Sequence, residues 1–202
     1  MVRTVTPWGV FDPIDPPEVA ALFSALEVPW WIAAGYAIEL ALGRSFREHQ
    51  DIDILMLRRD QGVIFAALPG WECWAADPPG TLRPWLPGEV LPPDVHDIWC
   101  RRGPDDPWRL QFMLDESEDD EWVSRKDPTL RRPLRELGAR SADGIPYVRP
   151  EVQLFYKAGQ LRPKDEQDFT EILPSLSEAQ RAWLADAIKR VYGHRSWLDR
   201  LG

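Results

Sequence analysis

Asp51 and Asp53 flank Ile52 in an Asp-x-Asp triplet, followed by the apolar residues Ile54 and Leu55. The run from Ile52 reads as a β-strand, and its alternation sends both carboxylates to one face, about 6–7 Å apart along the chain. Two hard oxygen donors at that spacing suit one or two magnesium ions. Sixteen residues upstream of Asp51, Gly35 offers a backbone without a side chain at the expected start of a helix. The free N–H groups of such a helix attract an anion such as a phosphate. A second group of charges, Lys157, Arg162, Lys164, Asp165 and Asp168, falls where one expected helix ends and another begins. The cations there suit distal phosphates, and the acids suit the first turn of the following helix.

The elements that must position these groups follow from periodicity and punctuation. Pro16-Pro17 starts a helix over Glu18 to Glu27; Pro29 to Ala34 is an uncharged apolar run that suits a buried strand. A helix over Tyr36 to Leu42 ends at Gly43, and Arg44 to Gln50 forms a polar turn into the Asp-x-Asp strand. A short helix near Gln61 to Leu68 and strands at Trp71–Ala75, Val95–Arg101 and Trp108–Leu114 complete a mixed sheet. After Gly144 the pattern is helical: Pro150 to Gln160, Pro163 to Leu173, and Glu178 to Tyr192 with Ser177 as cap. The expected fold is α/β or α+β, with a small mixed sheet over residues 1–143 and a helical bundle over 144–202.

The stretch 31–54 reads Ala34-Gly35, a helix, Gly43-Arg44, then Arg47-Glu-His49-Gln-Asp51-Ile-Asp53. It resembles the minimal nucleotidyltransferases of the DNA polymerase β superfamily, especially the aminoglycoside and lincosamide nucleotidyltransferases, whose pattern is Gly-Gly, helix, Gly-Arg, Arg-x-His-x-Asp-x-Asp. The resemblance implies transfer of a nucleoside monophosphate from a triphosphate, ATP by expectation, to a hydroxyl. It implies magnesium on Asp51 and Asp53, and triphosphate contacts from Ala34, Gly35, Arg44 and Arg47. Ala34 departs from the family glycine at a position that contributes mainly backbone. A third carboxylate on a neighbouring strand is also implied; Asp115, at the end of the Trp108–Asp115 segment, is the candidate, with Glu116 or none as alternatives. Lys157, Arg162, Lys164 and the acids that follow are similar to a motif of nucleotidyltransferases related to abortive-infection toxins, where the basic pair meets the triphosphate.

Each of these residues also has a plainer reading. Arg44 and Arg47 suit a solvated turn or pairing with Glu48, His49 suits a role in ordering that turn, and Lys157 to Asp168 suit helix-end ion pairs. The acidic run Asp115 to Glu121 reads as a solvated loop, with substrate docking as the alternative.

Composition bounds the rest. The chain has 202 residues, 44% of them hydrophobic and 28% charged, as expected of a globular protein with its own core. No apolar run approaches the roughly 20 residues of a membrane span. The start of the chain lacks a secretory pattern, and Cys73 and Cys100 lack disulfide or zinc spacing, so a cytoplasmic protein is expected. A net charge of -9 disfavours nonspecific nucleic-acid binding and suggests a small, hydroxylated and cationic acceptor, as for an antibiotic-resistance enzyme. Two alternatives stay open: a toxin-like enzyme acting on tRNA or protein, and a nucleotide-binding module without catalysis.

Overall fold

The computed structural model describes residues 3–202. A hairpin, β1 (Thr4–Thr6) and β2 (Gly9–Phe11), precedes α1 (Pro16–Leu22), β3 (Trp30–Ile32), α2 (Ala34–Leu42), β4 (Asp53–Leu57) and α3 (Val63–Ala67). The chain continues through β5 (Glu72–Ala75), β6 (Arg83–Trp85), β7 (Asp97–Arg101), β8 (Leu110–Glu118), β9 (Glu121–Val123), β10 (Arg131–Pro133), β11 (Gly138–Arg140) and β12 (Pro146–Val148). Helices α4 (Pro150–Lys157), α5 (Pro163–Ile172), α6 (Glu178–Tyr192) and α7 (Leu198–Leu201) end it. The α+β architecture expected from the sequence is present. Among the described residues no helix is long and apolar enough to cross a membrane.

One mixed sheet organises the molecule, in the order β11-β12-β3-β4-β8-β7-β5-β6, with β9 and β10 continuing from β8. Strand β4 lies at its centre, antiparallel to β3 and parallel to β8, and is buried along its whole length. Alternation divides its side chains between two cores. Ile54 and Met56 join Val19, Phe23, Ile64 and Phe112 on one face, under α1 and α3. Leu55 and Leu57 join Phe155, Phe169, Leu184 and Ile188 on the other, under α4, α5 and α6. A fully buried Leu, Ile or Phe contributes about 1.5–3 kcal/mol, so each core far outweighs any single surface contact.

The sheet continues beyond the expected boundary at 143/144. Strand β12 lies after it, pairs antiparallel with β11 and parallel with β3, and places Val148 in the core beneath the helices. The expected boundary lies in the β11–β12 turn, where Ser141 and Ile145 share a backbone hydrogen bond, and the sheet has strands on both sides of it. Polar β11 and Pro-led β12 hide this edge from a reading that looks for apolar runs. The acidic run is likewise a hairpin, β8–β9, with Asp119 at φ +48° in its turn. Cys73 and Cys100 face each other across β5 and β7 as buried free thiols, and burial pushes the Cys100 thiol well up.

Gly138 on β11 is required by packing against Trp31. A Cβ at that position would lie 2.1 Å from the indole Nε1 and 3.0 Å from the Tyr147 carbonyl oxygen. Overpacking of this kind costs about 1–3 kcal/mol, so Gly138→Ala should lower the melting temperature by roughly 3–10 °C. Differential scanning calorimetry is the check, and a melting temperature within 1 °C of wild type would mean that Trp31 has room to move.

Candidate active site

The face of the sheet that carries α4 to α6 also carries the polar residues of its central strands. Asp53 on β4 is paired with Gln111 on β8, and Asp97 on β7 is paired with Met113. These four residues, with Asp51, line a cleft of about 350 Å³. Its opposite wall comes from the other end of the chain: Gln153, Tyr156 and Lys157 on α4, Gln160 and Arg162 in the following turn, and Lys164 on α5. Ala34, Gly35 and Arg47 close one side and Arg125 the other. Eight residues expected at the site therefore meet in one cavity: Ala34, Gly35, Arg47, Asp51, Asp53, Lys157, Arg162 and Lys164.

Two expected residues lie elsewhere. Arg44 pairs with Glu171 at 2.6 Å on the surface and does not line the cleft. Asp115 shares a sheet face with Gln111 and Met113 but lies four residues beyond Gln111, about 13 Å along the strand. There it is fully buried, accepting hydrogen bonds from Trp122 Nε1 and Tyr156 OH, both at 2.6 Å. Glu116 pairs with Arg58 instead. The carboxylate that a neighbouring strand brings to the cleft is Asp97, which accepts from Gln111 Nε2 at 3.3 Å. Its signal in the sequence is that of the acid on the polar face of the Val95–Arg101 strand, which alternates with the buried Ile98 and Cys100. Arg58 fixes where β7 begins: its guanidinium donates to Pro92 O, Val95 O and His96 Nδ1 at 2.9, 2.8 and 3.0 Å, and to Glu116 at 2.5 Å. No pattern in the sequence announced that anchor.

The Arg47-x-His49 segment acts as a brace. Arg47 donates Nε and Nη2 to Asp168 at 2.6 and 3.1 Å, and its Nη1 lies 3.1 Å from His49 Nδ1. With Nδ1 facing a donor, the His49 proton belongs on Nε2, 3.1 Å from Glu39 Oε1. The His49 ring also stacks on Tyr36 with centroids 3.9 Å apart, and its burial, with Arg47 beside it, holds its basicity below the ordinary imidazole value. Burial works to raise the Glu39 carboxyl, but hydrogen bonds from Phe46 N, His49 and Arg47 N keep it below its usual range. Glu39, which reads from sequence as a surface residue of its helix, is in fact buried under this turn. A Cβ on Gly35 would lie 2.0 Å from Arg47 Nη2 and 2.6 Å from His49 Cε1, so the missing side chain leaves space for the brace. Ala34 sits at φ +52°, in the left-handed region that glycine favours, with its N–H held by Gln153 Oε1 at 2.7 Å.

The electrostatics of the cleft are uneven. Burial pushes the Asp53 carboxyl up to about 8, with the charges of Asp51 and Asp97 adding to the effect and Lys157 and Lys164 opposing it. Lys157 lies 2.7 Å from Asp168 and 3.2 Å from Asp165, and Arg162 donates to Asp165 at 2.8 and 3.1 Å. Among the described residues no three carboxylate, histidine or cysteine groups close around a single point. An ion here would therefore take only some of its oxygens from the protein. Magnesium is commonly held that way, by one or two carboxylates together with substrate phosphates and water.

Comparison with known proteins bears on this geometry. Residues 17–74 match the family model described as aminoglycoside-2''-adenylyltransferase. No curated protein sequence matches the chain. Among solved structures, ANT(2'')-Ia in complex with adenylyl-2''-tobramycin superposes with a TM-score of 0.56 at 18% identity, over 86% of this chain and 95% of that one. The solution structure of the antibiotic-resistance factor ANT(2'')-Ia gives 0.57 at 19%, over 87% and 90%. The lincosamide adenylyltransferase LnuA, with lincomycin bound, gives 0.55 at 18%, over 80% and 98%. The resemblance carried by residues 31–54 is thus borne out by a family match that contains that segment, and the chain has the nucleotidyltransferase fold of these adenylyltransferases.

Proposed function

We propose that this protein transfers AMP from ATP to a hydroxyl of a small acceptor, with magnesium as cofactor. The observation that carries the reading is the convergence of Asp51, Asp53 and Asp97 on one wall of a cleft whose other wall is Lys157, Arg162 and Lys164. Burial, with the neighbouring carboxylates Asp51 and Asp97, leaves Asp53 reluctant to ionise, and a divalent cation is the charge this donor set lacks. When bound, magnesium would supply Lewis-acid neutralisation of the phosphate under attack.

The remaining roles belong to the chain's own groups. Asp51 and Asp53 hold the ion. Lys157, Arg162 and Lys164 draw the β- and γ-phosphates to the α5 side, while the backbone at Ala34–Gly35 approaches the triphosphate from the N-terminus of α2. Arg47 acts indirectly, because its bidentate pair with Asp168 turns it toward holding the Asp51 loop in place. Asp97 accepts the proton of the acceptor hydroxyl, whose oxygen forms a bond to the α-phosphorus as the bond to the β-phosphate oxygen breaks and pyrophosphate leaves. A third carboxylate in the cleft, Asp97, favours transfer over a module that binds nucleotide without catalysis.

Asp97→Asn should lower transfer by about 10²–10⁴-fold, the usual contribution of a general base, with ATP affinity in magnesium held within a few-fold. Single-turnover transfer and calorimetry separate the two quantities; loss of ATP binding without a change in the chemical step would refute the base assignment.

Asp53→Asn should abolish magnesium-dependent ATP binding and yet stabilise the metal-free protein at alkaline pH. The sign follows from the raised folded-state pKa. Stability linked to Asp53 is fully present below its unfolded value near 3.9 and is lost as the pH rises through about 8. In chelator, the variant should therefore melt with wild type near pH 4 and roughly 3–10 °C above it at pH 8.5. A constant difference between the two proteins across that range would contradict the burial argument.

A further inference from the structure

Beyond Asp97, the cleft is walled by Gln111, Met113, Tyr156 and Arg125. Arg125 follows β9, and its side chain is only 17% exposed. Its guanidinium lies over the Tyr156 ring at 5.0 Å, with Nε 3.6 Å from Asp115 Oδ1. Among the described residues both of those atoms are buried without a hydrogen-bond partner. The other oxygen of Asp115 takes the bonds from Trp122 and Tyr156. A fully buried carboxylate is costly to keep, and this one has Arg125 as its facing cation. Asp115 thus anchors both Arg125 and Tyr156 and holds a cationic group in the lining of the cleft.

The carboxylates lining the cleft are Asp51, Asp53 and Asp97. Under the reading above, the ion and the reacting hydroxyl occupy all three, so none is left to pair with ammonium groups of an acceptor. The acidic hairpin does not help, because Glu118 and Glu121 pair with Arg131 and none of residues 115–121 lines the cleft. We propose that Arg125 is an acceptor-binding residue that hydrogen-bonds a carbonyl or carboxylate oxygen of the acceptor. The acceptor is then a hydroxyl compound carrying such an oxygen and at most one amine, rather than a polyamine. Five donors in a fixed fork suit that contact, and a second and third ammonium brought beside the guanidinium would be repelled by its charge. The proposal rests on the adenylyl-transfer reading and names its acceptor class.

The test measures transfer of label from α-labelled ATP with magnesium to tobramycin, a polyamine; to lincomycin, with one amine and an amide carbonyl; and to glucuronate, a sugar acid. Lincomycin or glucuronate should be labelled with kcat/KM at least tenfold above that of tobramycin. Arg125→Gln should then lower kcat/KM for the better acceptor tenfold or more through its KM, with the KM of ATP within twofold, and Arg125→Lys should recover part of the loss. Preference for tobramycin, no label in any of the three, or an Arg125→Gln effect confined to the KM of ATP would each overturn the proposal. Failure of wild type to bind ATP and magnesium in calorimetry would instead overturn the adenylyl-transfer reading on which it rests.

Discussion

The arrangement of the cleft depends on one buried carboxylate, Asp168 on α5, gripped on one side by Arg47 and on the other by Lys157. A buried charge of this kind is tolerable only when its hydrogen bonds are complete, and here both oxygens of Asp168 are engaged by cations. Arg47 belongs to the loop that delivers Asp51, and Lys157 ends α4. The contact therefore ties residues more than a hundred positions apart into one frame. Asp165 repeats the arrangement one turn earlier, holding Lys157 and Arg162. The basic wall consequently arrives pre-positioned, with part of its charge already neutralised.

Overall charge is a poor guide to such a site. The chain carries a net -9, yet the residues lining the cleft include three acids and five cations, Arg47, Arg125, Lys157, Arg162 and Lys164. What a ligand meets on contact is the local set: three carboxylates in a row along the sheet and cations on either side of them. Long-range attraction governs encounter, whereas the desolvated groups within the cleft govern what stays bound.

The sequence was most legible where chemistry and local structure share a short segment. Gly35 through Asp53 carries its helix, its turn and its acids within nineteen residues, and Ser177 with Gln180 marks the start of α6 through a reciprocal cap. Legibility ended where position depends on register between distant strands. Asp97 and Asp115 are both strand acids on the same face of the sheet, and only the pairing of β4, β8 and β7 puts one in the cleft and the other against Tyr156. Glu39 was hidden for a related reason: a helix face looks solvent-exposed until the turn that covers it is known. Strands β10 to β12 have three residues each, so their membership in the sheet follows from their neighbours more than from their own residues.

The order of the cleft along the chain has a consequence for its assembly during synthesis. Asp51, Asp53 and Asp97 all precede residue 100, whereas Lys157, Arg162 and Lys164 of the facing wall come after residue 150. A growing chain can therefore pair β4, β8 and β7 while the three acids still lack that wall, and while the apolar face that will meet Phe155 and Phe169 is still bare. Such a partial sheet gains little from closing early, since its acidic row repels itself and one of its two cores is incomplete. The last fifty residues thus act as the closing half of a clasp, and the cleft is complete only once they are in place.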